Sequence, residues 1–276
     1  MAHRPLRVAA KSVFTLADLV LPPLRGPRIL LYHQIEAGLG REMEVPLDVF
    51  QTHLDWMERI GEVLDLETAL ATRDDPGAEP KFVLTFDDGY EDVYRYAFPL
   101  LVERGWPFTI YLTTNPVESR VSLFPDDRAK PLTWDQLGEM MDSGLMTLGA
   151  HTHRHADLRI ISLDQTAEEL ETSDRLIQER VGVVPRHFAY PWGYWSATAE
   201  TLVVERYATA ALASVGSITT CTDQFRLPRL PIQYSDGFLF FKQKVRQGLR
   251  AEEWARQRLK GYKRPRSVRV TTSSGS

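Results

Sequence analysis

The chain holds one cysteine, Cys221, which excludes an internal disulfide framework and a cysteine-built zinc site. No segment reaches the roughly 18 consecutive apolar residues that a membrane-crossing helix needs. No glycine-rich phosphate loop follows the first predicted strand, so the usual signature of a nucleotide fold is missing. Histidine does not occur after His187. Net charge is also scarce, at a formal -4, but it is unevenly spread. Residues 1–28 carry five basic side chains against Asp18, and residues 242–269 carry eleven against Glu252 and Glu253. The body is therefore acidic and both ends are basic. No nucleic-acid partner is expected, whereas the basic ends allow peripheral contact with anionic lipid.

What is present fits a globular protein. With 276 residues, 43% of them hydrophobic and 25% charged, the chain can bury a large core and has the length of one α/β barrel. The N-terminal Arg4, Arg7 and Lys11 precede the apolar stretch Val13–Leu21, in the manner of a signal peptide. Asp18 interrupts that stretch, and Pro22-Pro23 follow in place of a small-residue cleavage site. An amphipathic surface helix is the better reading. A cytoplasmic protein, peripheral to the membrane, is expected; export is the alternative. Oligomeric state is not legible.

Strand-like and helix-like segments alternate along the chain. Arg28–His33 reads as a buried strand, residues 46–60 as a helix with Phe50, Leu54 and Met57 inward, and Asp74–Gly77 as a loop. Residues 81–86 read as a strand. Residues 91–104 read as a helix with Val93, Ala97 and Leu100 inward, kinked by Pro99. Phe108–Leu112 reads as a strand, and residues 115–131 as a long polar loop. Capping boxes at Thr133 and Ser162 predict helices to about Gly144 and Val181. The second of these has Leu163, Ala167, Leu170, Ile177 and Val181 as its apolar stripe. Met146–Ala150, His187–Tyr190, Thr209–Leu212 and Leu227–Pro231 read as strands, residues up to about Arg206 as a helix, and Phe238–Lys260 as a basic amphipathic helix. Roughly seven strand–helix units imply a parallel sheet or barrel, with functional groups at the C-terminal strand ends. His33, Asp87-Asp88, His151 to His155 and Trp192 all fall there.

The stretch Thr85-Phe86-Asp87-Asp88-Gly89-Tyr90 is the centre of this reading. Successive side chains on a strand point to opposite faces, so Asp87 and Asp88 can share a site only if the strand ends between them and the chain turns, as Gly89 permits. Their mutual repulsion asks for a cation or a shared proton. His151 and His155 are spaced i, i+4, so on one helical turn they face the same way and can share a metal. One carboxylate would complete a two-histidine, one-carboxylate set, and the other would take a proton from water activated by the metal. Water attack on a carbonyl, through a tetrahedral oxyanion, is the reaction that fits. His153 reads as a rim residue.

TFDDGY, then HTHRH, then FAYPWG, in that order, resemble the first three motifs of the NodB-homology polysaccharide deacetylases, carbohydrate esterase family four, over roughly residues 29–232. The resemblance implies a distorted (β/α)7 barrel spanning residues 29–236. Outside it lie an N-terminal extension (1–28), a C-terminal helix (237–262) and a disordered tail (263–276). It implies a divalent metal, zinc or another such as Co2+, Ni2+ or Mn2+, and an N-acetylated glycan substrate that loses its acetyl group. On matching positions, Asp87 resembles the catalytic base, and Asp88, His151 and His155 resemble the metal ligands. Thr152 resembles the residue that steadies the second motif by hydrogen bonding. Trp192 resembles the oxyanion donor through its backbone N–H, with Tyr190 and Pro191 beside it as substrate-binding candidates.

The chain also departs from the family pattern. Ala189 stands where many members have the arginine that orients the base, and Arg229 is the candidate to supply that guanidinium. The usual C-terminal histidine is missing. His33 is the candidate replacement as general acid, because the first strand of a closed barrel lies beside the last. This is similar to the subgroup acting on poly-N-acetylglucosamine. Other amides, O-acetyl esters, an impaired carbohydrate-binding relative and an iron oxygenase are the alternatives.

Overall fold

The computed structural model describes residues 22–73, 79–124 and 129–251. The predicted N-terminal helix and most of the 1–28 extension, the 74–77 loop, residues 252–262 of the C-terminal helix and the 263–276 tail lie outside the described residues.

The strands, in chain order, are β1 (Arg28–Tyr32), β2 (Gln34–Ile35), β3 (Glu44–Val45), β4 (Glu62–Val63) and β5 (Lys81–Asp88). They continue with β6 (Phe108–Leu112), β7 (Met146–Ala150), β8 (His187–Ala189), β9 (Thr209–Ala213) and β10 (Leu227–Pro231). β1 pairs in parallel with both β5 and β10, which closes a seven-stranded ring in the order β1-β5-β6-β7-β8-β9-β10. β4 adds to the N-terminal end of β5, while β2 and β3 form a separate two-stranded sheet. β1 and β6 are buried along their full length, which is why they read as continuous apolar runs rather than alternating ones. The chain is an α/β protein with a distorted (β/α)7 barrel. Among the described residues, no helix is long and apolar enough to cross a membrane.

Both predicted capping boxes are present, Thr133 with Gln136 and Ser162 with Gln165, starting the helices Trp134–Asp142 and Leu163–Val181. Four expectations need correction. The 91–104 helix is not one kinked α-helix but a π-turn, Val93–Ala97, followed by the α-helix Phe98–Arg104. Phe98 N–H reaches back to the Val93 carbonyl, so Pro99 sits in a first turn, where its missing donor costs nothing, and Leu101 rather than Leu100 is buried. The supposed loop from residue 115 begins as the helix Thr114–Ser119. The buried face of Leu163–Val181 includes Thr166, Glu169 and Ser173, while Leu163 is exposed. The C-terminal helix is interrupted: it spans Gly237–Gln247 and breaks at Gly248, with a left-handed φ of 90°, before helix resumes at Arg250.

That last helix seals the side of the barrel where the ring closes. Lys244 Nζ donates to the Pro231 carbonyl at 2.7 Å and to Asp236 Oδ2 at 2.6 Å. His53, on the helix Leu47–Ile60, stacks on Phe241 at 3.6 Å.

Candidate active site

The two carboxylates of β5 share a site through a backbone turn one residue earlier than expected. Asp88 itself adopts φ 75°, in the left-handed region, and Gly89 follows at φ 84°. Aspartate tolerates this conformation better than most side chains. Gly89 is required as well, because a Cβ there would lie 2.4 Å from Leu112 Cδ1. Asp87 and Asp88 are 3% and 6% exposed at the floor of a cavity of about 430 Å3. His33, His151 and His155 line the same cavity.

His151 and His155 do not sit on a helical turn. Residues 151–155 form an irregular loop after β7, with Thr152 at φ 67° and His155 at φ 58°. The N-terminus of the Thr114–Ser119 helix holds this loop. Thr114 N–H donates to the Thr152 carbonyl at 3.3 Å and Asn115 N–H to the His153 carbonyl at 2.8 Å, using donors that a helix start leaves free. The buried Glu169 accepts from the Arg154 amide at 2.7 Å. Thr152 thus steadies the loop through its backbone, and its buried hydroxyl has no hydrogen-bond partner. His153 is half-buried, its Nδ1 3.0 Å from Thr114 Oγ1.

Arg229 lies on β10, fully buried, and reaches past β1 to Asp87. Its NH1 donates to Oδ1 at 2.5 Å and its NH2 to Oδ2 at 2.8 Å. Nε donates to the Leu212 carbonyl at 3.3 Å, and the guanidinium lies 4.8 Å from the Tyr111 ring centroid. The guanidinium that Ala189 lacks therefore comes from another strand.

The electrostatics separate the two carboxylates. Burial pushes Asp87 upward, but Arg229 and His151 more than reverse this and hold it below the ordinary range. Burial also pushes Asp88 up, and there His33 and His151 only partly offset it. Burial lowers His33 and His151, and lowers His155 to about 4, so all three imidazoles are neutral at pH 7.

Asp88, His151 and His155 each offer a ligand atom within 4.8 Å of the others. Asp88 Oδ1 is buried without a hydrogen-bond partner and faces His151 Nε2 at 3.6 Å and His155 Nε2 at 3.4 Å. His151 Nδ1 donates to the Ala189 carbonyl at 2.7 Å, which leaves Nε2 as the free lone pair. Neutral imidazoles and an otherwise unsatisfied carboxylate fit a divalent cation.

Of the FAYPWG residues, only part reaches the cavity. Trp192 does, half-exposed, at φ 63°, with its ring 4.8 Å from His155 and 5.7 Å from Phe124. Tyr190 and Pro191 do not. Tyr190 is fully buried against Phe188, because β8 alternation turns its ring into the core, and Pro191 is buried at the start of the next turn. Sequence reading missed Gln34, Arg41, Tyr90, Phe124 and Arg159 as lining residues. Rim segments show no periodicity from which side-chain direction could be read.

Residues 74–210 match the family model described as polysaccharide deacetylase. The chain belongs to the polysaccharide deacetylase family. A curated relative, YxkH of Bacillus subtilis, is 28% identical over 171 residues, 61% of this chain and 57% of its own length. The poly-β-1,6-N-acetyl-D-glucosamine N-deacetylase of Escherichia coli is 34% identical over 84 residues, 28% of this chain and 12% of that one. The matched stretches thus cover less than two thirds of either relative. Among solved structures, the Streptococcus pyogenes deacetylase PplD superposes with TM-score 0.68 at 25% identity, over 81% of this chain and 99% of that one. IcaB from Ammonifex degensii shares the fold with TM-score 0.69 at 23% identity, over 80% and 96% of the two chains.

Proposed function

We propose that the protein hydrolyses acetyl groups from a carbohydrate, and in particular N-acetyl groups from an amino sugar in a glycan. The observation that carries this is the ionised Asp87, locked by Arg229, beside the set Asp88, His151 and His155 on one cavity floor. Asp88, His151 and His155 would hold a divalent cation, zinc foremost. Such a cation supplies Lewis acidity, lowering the pKa of water and polarising the acetyl carbonyl.

The chain's own residues supply the rest. Asp87 stays anionic at neutral pH and takes the proton from the attacking water. The new C–O bond gives a tetrahedral oxyanion, to which the Trp192 backbone N–H is the proposed donor. The C–N bond then breaks, and the departing amine takes a proton from His33. Burial keeps the His33 imidazole neutral at rest, so it first takes a proton from solvent and then passes it readily to the amine. Acetate and the free amino sugar are the products. The half-exposed Trp192 lines the cavity and offers a face on which a sugar ring stacks, while the Tyr194 ring, also in the lining, has the Arg159 guanidinium over it at 3.6 Å.

The matched Escherichia coli relative carries the name of a poly-N-acetylglucosamine deacetylase, which makes N-acetylglucosamine polymers the first substrates to try. Acetate release across a panel of N-acetylated glycans, with zinc supplied, tests the reading. Acetate from at least one is expected; none, despite bound metal, would overturn it.

A further inference from the structure

His151 and His155 are the two ends of a loop that is strained and held from outside. Thr152, which is β-branched, sits at φ 67°, in a left-handed region such side chains rarely adopt, and His155 sits at φ 58°. Backbone in that state persists only where its surroundings restrain it. The restraints follow the loop residue by residue. His151 N–H donates to the Leu112 carbonyl at 2.9 Å, and the His151 carbonyl accepts from the Thr113 hydroxyl at 3.3 Å. The Thr152 and His153 carbonyls accept from the Thr114 and Asn115 amides. The Arg154 N–H, next to His155, donates to Glu169 Oε2 at 2.7 Å.

Glu169 is out of place by packing rules. It lies on the buried face of the helix Leu163–Val181, 5% exposed, beside Thr166, Leu170 and Ser173. A glutamate is almost never buried unless it is paired. Its two oxygens go to one residue: Oε2 to the Arg154 amide, and Oε1 to the Arg154 guanidinium at 3.2 Å. That guanidinium is 58% exposed and shared with Glu168 at 3.8 Å, so solvent weakens its share of the contact. The buried bond to the loop amide is the stronger restraint. On the metal set of the proposed deacetylase reading, we infer that Glu169 is a positioning residue for that set. By clamping the Arg154 amide it fixes the path of the chain from His151 to His155, and with it the placing of both Nε2 atoms around Asp88 Oδ1. The affinity of the site for a divalent cation then depends on a side chain that touches none of the three ligands.

Metal-free protein is titrated with Zn2+ against a chromophoric chelator for the wild type, Glu169→Leu, Glu169→Met, Glu169→Gln and Arg154→Ala, and urea unfolding of the same metal-free samples is followed. Glu169→Leu should bind Zn2+ about 10- to 100-fold more weakly, the usual cost of losing a group that orients metal ligands. Glu169→Met, unbranched and also without an acceptor, should show the same loss, and carries the test if the leucine variant does not fold. Glu169→Gln keeps an acceptor for the amide and should recover most of the affinity. Arg154→Ala keeps the amide itself and should bind as the wild type does. A carboxylate serving only the stability of its helix would lower the urea midpoint and leave Zn2+ affinity unchanged. Wild-type affinity in Glu169→Leu or Glu169→Met, or a loss as large in Arg154→Ala, would overturn the role of Glu169 while leaving the deacetylase reading intact. A wild type that takes up no Zn2+ would overturn the metal set, and this inference with it.

Discussion

Arg229 and Asp87 form a fully buried, two-pronged ion pair across three neighbouring barrel strands. Arg229 is in register with Ile29 of β1, and Ile29 with Val83 of β5, four residues before Asp87. The guanidinium leans over the Tyr111 ring and is held from behind by the Leu212 carbonyl. Both carboxylate oxygens are occupied, so Asp87 is fixed in orientation as well as in charge.

Arg229→Lys keeps the charge and loses the fork, which is not a conservative change at a bidentate site. Turnover should fall about 10- to 100-fold, corresponding to about 1.4–2.7 kcal/mol of lost positioning, with metal content unchanged. Arg229→Ala leaves a buried carboxylate unpaired and should cost about 3–5 kcal/mol of stability in denaturant unfolding. Wild-type turnover in Arg229→Lys would remove the pair from the mechanism.

His33→Gln should lower kcat by about 100-fold or more, the usual scale for losing a general acid, while the metal content measured on the same preparation stays at the wild-type level. If turnover persists, the leaving amine takes its proton elsewhere and His33 is only part of the cavity wall.

His53 links stability to pH. It is buried, its Nδ1 lies 3.2 Å from the Tyr32 hydroxyl, its Nε2 is unpartnered, and Asp236 and Lys244 are its charged neighbours. Burial lowers it to about 3, partly offset by Asp236. Between that value and the ordinary histidine range near 6.5, the unfolded chain binds one more proton than the folded one. Stability is therefore complete above about pH 6.5 and falls below it, by about 1.4 kcal/mol per pH unit for this one group. His53→Phe should remove one proton's worth of that slope in urea titrations between pH 5 and 7. An unchanged slope would mean that His53 ionises freely in the fold.

The barrel was legible because its strands are continuous apolar runs and two of its helices open with capping boxes. The placement of the two carboxylates in one cavity was legible because adjacent aspartates after a buried strand demand a turn. What escaped is governed by tertiary context. Left-handed backbone at Asp88, Thr152, His155 and Trp192 aims the side chains of the site, and none of the four is a glycine whose identity would have marked that conformation in the sequence. The i, i+4 spacing of His151 and His155 suggested a helical turn, whereas the loop is shaped by amides of Thr114 and Asn115 from another segment.

The division of labour between the two carboxylates is tested most directly by measuring bound metal and acetate release on the same samples of wild type, Asp87→Asn and Asp88→Asn. Asp87→Asn should keep its metal and lose turnover by about 100- to 10,000-fold, while Asp88→Asn should lose the metal. Loss of metal from Asp87→Asn with retention in Asp88→Asn would contradict the assignment.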